Sequence, residues 1–280
     1  VTPLRTFGVM AGMLPALLAG CGSPVAKGAD TAQTDAPTIV SLNPCTDAIL
    51  AEMAGPEQLL AISHYSHDPR ATSMDVAKAQ AFGMTGGTVE EVLALSPDMV
   101  VAGSFMPPAT RAALADLGIR VETFDIASSV DQSIDQVRRM ASISGHEDAG
   151  EELVTRINAA VTAMAAPAGS TAVPTVLWQP SGIVPGEKTL IGELMRGAGF
   201  SSHSAASGMG QADFLPLEML LANPPRVLLL AGQERSQHHP ALAALPEMQR
   251  AEFDPALLYC GGPTIIRAAN RLREIREAVS

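Results

Sequence analysis

Two cysteines and four histidines fall on loops near predicted strand ends: Cys45, His64 and His67 early in the chain, Cys260, His238 and His239 late in it. Thiolate and imidazole together suit zinc, copper or haem iron. Cys45, His64 and Cys260 are therefore candidate ligands for a metal whose identity the sequence leaves open. The plainer reading is scattered loop histidines and buried thiols. In an oxidising compartment Cys45 and Cys260 can also pair as a disulfide. The sequence has no G-x-S-x-G, H-E-x-x-H or P-loop pattern. Gly208-Met209-Gly210 is too short for a dinucleotide fingerprint and does not directly follow a strand.

Composition narrows the classes further. Eighteen Lys and Arg stand against 29 Asp and Glu, a net charge of −11 over 280 residues. Nucleic-acid phosphates call for a basic footprint, so no nucleic-acid partner is expected. Aromatics are only 4%, too few for a base-stacking platform. With 47% hydrophobic and 17% charged residues, the chain can bury a sizeable core.

The first residues read as a targeting segment. Arg5 precedes an apolar stretch from Val9 to Gly20, too short to span a bilayer as a helix. It ends Leu18-Ala19-Gly20-Cys21, which resembles a bacterial lipoprotein box in which the cysteine is acylated. The expectation is a signal peptide over 1–20, lipidation at Cys21 and an extracytoplasmic, membrane-tethered protein. Residues 21–37, rich in Ala, Gly, Thr, Asp and Pro, read as a flexible tether.

The folded part reads as two copies of one plan. Short β-branched or apolar runs at 38–42, 60–63, 99–102 and 121–124 predict strands, with helical patterns between them. Runs at 175–178, 227–230 and 257–259 predict strands in the second half. Strands alternating with helices argue for parallel sheets covered on both faces. Residues Glu90 to Ala102 can be laid on Glu218 to Leu230, 128 positions later, with Glu, Ala and Pro in register. Each copy predicts a short helix opened by Glu, broken at Pro and running into a buried strand. Between the halves, Ser128 or Ser129 can cap one helix, which ends near Gly145. Glu147, Asp148, Glu151 and Glu152 crowd the start of a second, whose stripe is Leu153, Val154, Ile157, Val161 and Met164. The predicted organisation is an N-terminal lobe at 38–145, a connecting helix at 146–167 and a C-terminal lobe at 168–280. The fold class is α/β: two Rossmann-like lobes with parallel sheets, joined by a single long α-helix, with a ligand cleft between them.

Four blocks carry a family resemblance: Ile39-Val40-Ser41-Leu42-Asn43-Pro44, the segment Ala61 to Pro69 around Tyr65, the block Thr88 to Val100, and Gly262-Pro263-Thr264-Ile265-Ile266 running on to Leu272. Together they resemble the helical-backbone (class III) periplasmic solute-binding proteins of ABC importers, most of all those for vitamin B12 and ferric siderophores. The resemblance implies a ligand cleft between the lobes at the carboxyl ends of the strands. The implied ligand-binding residues are Asn43, Cys45, His64, Tyr65, His67, Ser104, Phe105, Gln179, Tyr259 and Cys260, with Tyr65 packing on the ligand's flat face. It also implies that one surface glutamate per lobe, here Glu90 and Glu218, docks on the two subunits of a permease dimer with its ATPase.

The expected function is therefore capture of a metal chelate (a corrinoid, ferric siderophore or haem) by a monomer without catalytic residues or a cofactor of its own. The alternatives are a binder of a bare metal ion or oxyanion in the same fold, an exported α/β enzyme, or a lipid-anchored sensor. An enzyme would need a nucleophile–base–orienter set, which the sequence does not display.

Overall fold

The computed structural model describes residues 36–279. The expected signal segment, Cys21 and nearly all of the tether lie outside the described residues. The described residues form one compact unit.

Two parallel sheets organise it. The first contains β1 (Ile39–Ser41), β2 (Leu59–Ser63), β3 (Gly83–Thr85), β4 (Met99–Gly103) and β5 (Arg120–Phe124), in the order β3-β2-β1-β4-β5. The second contains β6 (Val173–Trp178), β8 (Phe200–Ser202), β10 (Val227–Leu230) and β11 (Gln249–Glu252), in the order β11-β10-β6-β8. Between them in sequence, β7 (Ile183–Val184) and β9 (Asp213–Phe214) form a small antiparallel pair. Apart from β3, the sheets share one strand order: second, first, third, fourth. The duplication legible at Glu90 and Glu218 therefore extends to topology. Central strands are buried on both faces, as the Ile-Val-Ser of β1 and the Val-Leu-Leu-Leu of β10 require.

Helices cover the sheets. In the first half they are α1 (Pro44–Leu50), α2 (Val76–Ala79), α3 (Val89–Leu95) and α4 (Pro108–Asp116). In the second they are α7 (Leu190–Gly197), α8 (His203–Ala206), α9 (Leu217–Ala222) and α10 (Pro240–Ala243). α5 (Val130–Ser144) starts at the Ser129 cap, whose side chain accepts from the Gln132 N–H, and stops at Gly145 in the left-handed region. α6 (Glu147–Met164) follows at once and buries Leu153, Val154, Ile157 and Met164. α5 and α6 approach closely because Gly150 has no side chain: a Cβ there would stand 2.4 Å from that of Ala141.

One sequence expectation changes. The predicted strand at 257–259 is instead a 3-10 turn (Pro255–Leu257) leading into a loop; the fourth strand of the second sheet is β11. The apolar run misleads because Leu257 is buried while Tyr259 faces solvent. β11 alternates half-buried and exposed residues at a sheet edge and lacks an apolar signature. Beside α6, the chain after β11 also passes the first lobe, where α11 (Pro263–Ala278) begins. At its start, Arg267 Nη1 donates to the Ser73 carbonyl at 2.6 Å. Midway along it, Arg271 Nη2 donates to the Glu252 carbonyl in the second sheet at 2.8 Å.

Candidate functional site

In an open α/β sheet the natural crevice lies where strand order reverses, at the carboxyl ends of the strands. In the first lobe that point falls between β1 and β4. Asn43 follows β1 and caps α1, its Oδ1 accepting from the Cys45 N–H at 2.9 Å. Gly103 ends β4, and a Cβ there would stand 3.0 Å from Asn43 Nδ2, so the glycine leaves room for the amide. Phe105, 81% exposed, projects just beyond. A hollow of about 330 Å³ lies here, lined by Leu42, Asn43, Gly87, Gly103, Phe105 and Met106 among others. A narrower one beside it is lined by Asn43, Cys45, Phe124, Ile126, Gln136 and Tyr259 among others.

The second lobe repeats the arrangement between β6 and β10. Gln179, Pro180 and Ser181 follow β6, and the Ala231 N–H donates to the Trp178 carbonyl at 2.9 Å. Ser181 adopts a positive φ of 61°, and its N–H donates to Glu234 Oε2 at 2.6 Å. Trp178 is buried, its Nε1–H donating to the Leu215 carbonyl at 2.9 Å. A hollow of about 260 Å³ joins the lobes. Ile126 and Ser128 line it from the first; Gln179, Thr189 and Gln211 from the second; Leu258 and Tyr259 from the crossing segment.

Two properties define the cleft. Its exposed surface carries large apolar side chains, with Phe105, Ile126 and Tyr259 all more than half exposed. Its polar groups are mostly amides and hydroxyls: among the residues lining the three hollows, Asp125 alone is charged.

Of the sequence-derived residues, Asn43, Cys45, Phe105, Gln179 and Tyr259 line these hollows. Ser104 is exposed beside them, its N–H held by the Phe124 carbonyl at 2.9 Å. Cys260 is buried beneath. His64, Tyr65 and His67 lie on a 3-10 turn at the carboxyl end of β2, outside the three hollows. Tyr65 is 54% exposed and stacks at a tilt on His64, ring centres 4.0 Å apart. The turn is held by a buried acid that sequence reading did not single out. Asp47 on α1 accepts from the Ser63 N–H at 3.0 Å and the Ser66 hydroxyl at 2.6 Å, while its Oδ1 is buried without a partner. Burial pushes the Asp47 carboxyl up to about 8, against the downward pull of its hydrogen bonds.

The metal-ligand reading of Cys45, His64 and Cys260 is corrected. Cys45 and Cys260 form a disulfide, with Cα atoms 5.0 Å apart. Their sulfurs are bonded to each other and cannot act as the thiolates that such a site requires. Among the described residues no group of three or more His, Cys, Asp or Glu is placed to hold a metal ion.

Sequence reasoning missed Ile126, Gln136, Thr189 and Gln211. Ile126 follows β5, so the strand-end rule that found Asn43 could have found it. Thr189 carries a legible signal as the cap of α7. Gln136 lies on α5, and Gln211 reaches the cleft only because the β7–β9 pair brings its loop there.

Comparison with known proteins agrees with this architecture. A family model described as a periplasmic binding protein matches residues 39–253. A cobalamin-binding protein of Halobacterium salinarum is 25% identical over 206 residues, which cover 71% of this chain and 55% of that protein. The chain thus spans about half the length of this relative. Among solved structures, the periplasmic haem-binding protein RhuT from Roseiflexus sp. RS-1 in apo form superposes with a TM-score of 0.66 at 20% identity, covering 87% of this chain and 98% of that one. The periplasmic vitamin B12 binding protein BtuF of Vibrio cholerae gives 0.65 at 20% identity, with the same coverage. These structures are likenesses of fold.

Proposed function

Because this chain belongs to the periplasmic binding protein family, we propose that it captures an uncharged, amide-bearing tetrapyrrole chelate of the cobalamin type and delivers it to an ABC permease. The observation that carries the choice is the lining of the cleft. Asn43, Gln136, Gln179 and Gln211 supply amides, Phe105, Ile126 and Tyr259 supply apolar surface, and no Lys, Arg or His lines the three hollows. A corrin edged with carboxamides matches amide donors and acceptors and presents a flat face to apolar side chains. A haem carries two propionates and many ferric siderophores a net negative charge. Such ligands would meet Asp125 and no compensating cation, a costly arrangement in a desolvated cleft. Haem is the second reading, favoured by the exposed phenol of Tyr259 in the cleft, since a tyrosinate can hold haem iron.

Delivery rests on Glu90 and Glu218, both exposed, as the docking carboxylates for arginines of a twofold permease. Tethering rests on acylation of Cys21. Native mass spectrometry of the protein purified from its own organism, with its absorption spectrum, tests the ligand assignment. A bound mass in the corrinoid range with a cobalt-corrin spectrum supports it, and a haem Soret band overturns it in favour of the second reading.

A further inference from the structure

We propose that the Cys45–Cys260 disulfide is a positioning bond for Tyr259, fixing this side chain in the cleft floor as a ligand contact, so that ligand affinity depends on the disulfide. The inference rests on the cleft being the ligand site.

Tyr259 is shared by the hollow in the first lobe and the hollow between the lobes. It is 60% exposed although its chain neighbour Cys260 is buried. Among the described residues its hydroxyl makes no hydrogen bond, so the phenol is available to a ligand. What holds it is the backbone on one side. Cys45 Sγ lies 3.6 Å from the Tyr259 carbonyl oxygen. Beyond Cys260 the chain threads between two first-lobe helices. A Cβ at Gly261 would stand 2.3 Å from Ser133 Oγ on α5, and one at Gly262 would stand 2.4 Å from Ile49 Cγ1 on α1. The Gly262 N–H donates to Ser133 Oγ at 2.7 Å, and Gly262 has φ 58° and ψ −134°, a conformation suited to glycine.

The other side is held by the second lobe. Asp254 caps the 3-10 turn Pro255–Leu257, and the Leu257 side chain is buried. Between these anchors lie Leu258, Tyr259 and Cys260. The disulfide is the covalent link from this short span to α1, and Cys45 stands two residues after the cleft amide Asn43. One bond therefore sets the distance from Tyr259 to the switch point of the first lobe. A side chain held in its bound position avoids an ordering cost when the ligand arrives.

The test uses the oxidised protein with cyanocobalamin as probe, below the melting temperature of every variant. The expected results are a loss of about tenfold or more in affinity for Cys45→Ser with Cys260→Ser, and a similar loss for Tyr259→Ala. In the triple variant the losses do not multiply: removal of the disulfide costs no more than about twofold once Tyr259 is gone. Affinity within about twofold of wild type in the serine pair, or fully multiplicative losses in the triple variant, overturns the proposal. Should the serine pair fail to fold, Tyr259→Ala still decides, because it keeps the disulfide: unchanged affinity overturns the proposal. If the wild type binds neither cyanocobalamin nor hemin, the functional reading fails separately, and hydrogen exchange judges the positioning. Faster exchange confined to residues 258–261 in the serine pair supports it, and unchanged exchange there overturns it.

Discussion

Glu90 and Glu218 occupy the same place in two equivalent helices. Each is the second residue, after Thr88 in α3 and after Pro216 in α9, and each is exposed. Neither carboxylate makes a hydrogen bond or ion pair among the described residues. Glu91, one residue on, is different. Its Oε2 accepts from the Thr85 hydroxyl at 2.9 Å and the Gly86 N–H at 2.6 Å, which holds its carboxyl below the usual range. The repeat thus keeps one unengaged carboxylate per lobe, and the adjacent one is committed to a turn.

Under the docking proposal, Glu90→Arg with Glu218→Arg leaves cyanocobalamin affinity and melting temperature near wild type but abolishes uptake in cells carrying the cognate permease. Glu91→Ala does the reverse, lowering the melting temperature while uptake persists. Normal uptake by the double arginine variant would remove the docking assignment. A loss of ligand binding would move these residues into the cleft.

Asp47 makes stability depend on pH with a definite sign. Its carboxyl titrates near 8 in the fold against 3.8 for the ordinary group. Between those values the folded chain holds a proton that the unfolded chain has released, so stability falls as pH rises through this window and levels off above about 8. Asp47→Asn keeps an oxygen for Ser63 and Ser66 and removes the titration. A partnerless amide N–H costs the variant the same at every pH, so its stability relative to wild type should rise by several kcal/mol between pH 4 and pH 8. Urea denaturation at both pH values measures this; parallel curves for the two proteins would contradict it.

Phe105→Ala should separate binding from folding. At 81% exposure the Phe105 side chain contributes little to the core. Phe105→Ala should change unfolding stability by no more than about 0.5 kcal/mol yet weaken cyanocobalamin binding about tenfold. Equal affinity in the two proteins would place the ligand away from the first-lobe switch point.

Closure on ligand binding should be small. α6 packs against α5 at Gly150, and the disulfide-tied crossing through Tyr259 and Gly262 adds a second link between lobes. Small-angle scattering should show the radius of gyration changing by less than about 1 Å on ligand addition. A several-ångström compaction would show that these links act as a hinge.

The sequence and the structure agree where burial leaves a periodic trace. β1, β4, β6 and β10 are two-sided apolar strands and read as such; the capped α5 and striped α6 read equally well. β11 was illegible because an edge strand of Gln, Arg, Ala and Glu has no apolar period, and Leu257 to Tyr259 imitated it. In the site, residues that follow a strand directly, such as Asn43, Phe105 and Gln179, were within reach of the crevice rule. Gln136 and Gln211 were not, because a helix face and a small antiparallel pair bring them in. The pairing of Cys45 with Cys260 depends on a crossing 215 residues away in sequence, a distance over which local pattern says nothing.

A cleft rich in amides, with no Lys, Arg or His lining its three hollows, should select an uncharged corrinoid. Parallel calorimetric titrations of the oxidised protein with cyanocobalamin and with hemin, repeated at low and high salt, test it most directly. Cyanocobalamin should bind saturably and one-to-one, nearly independent of salt because no ion pair contributes, and hemin should bind at least about a hundredfold more weakly. Tighter binding of hemin than of cyanocobalamin would contradict it.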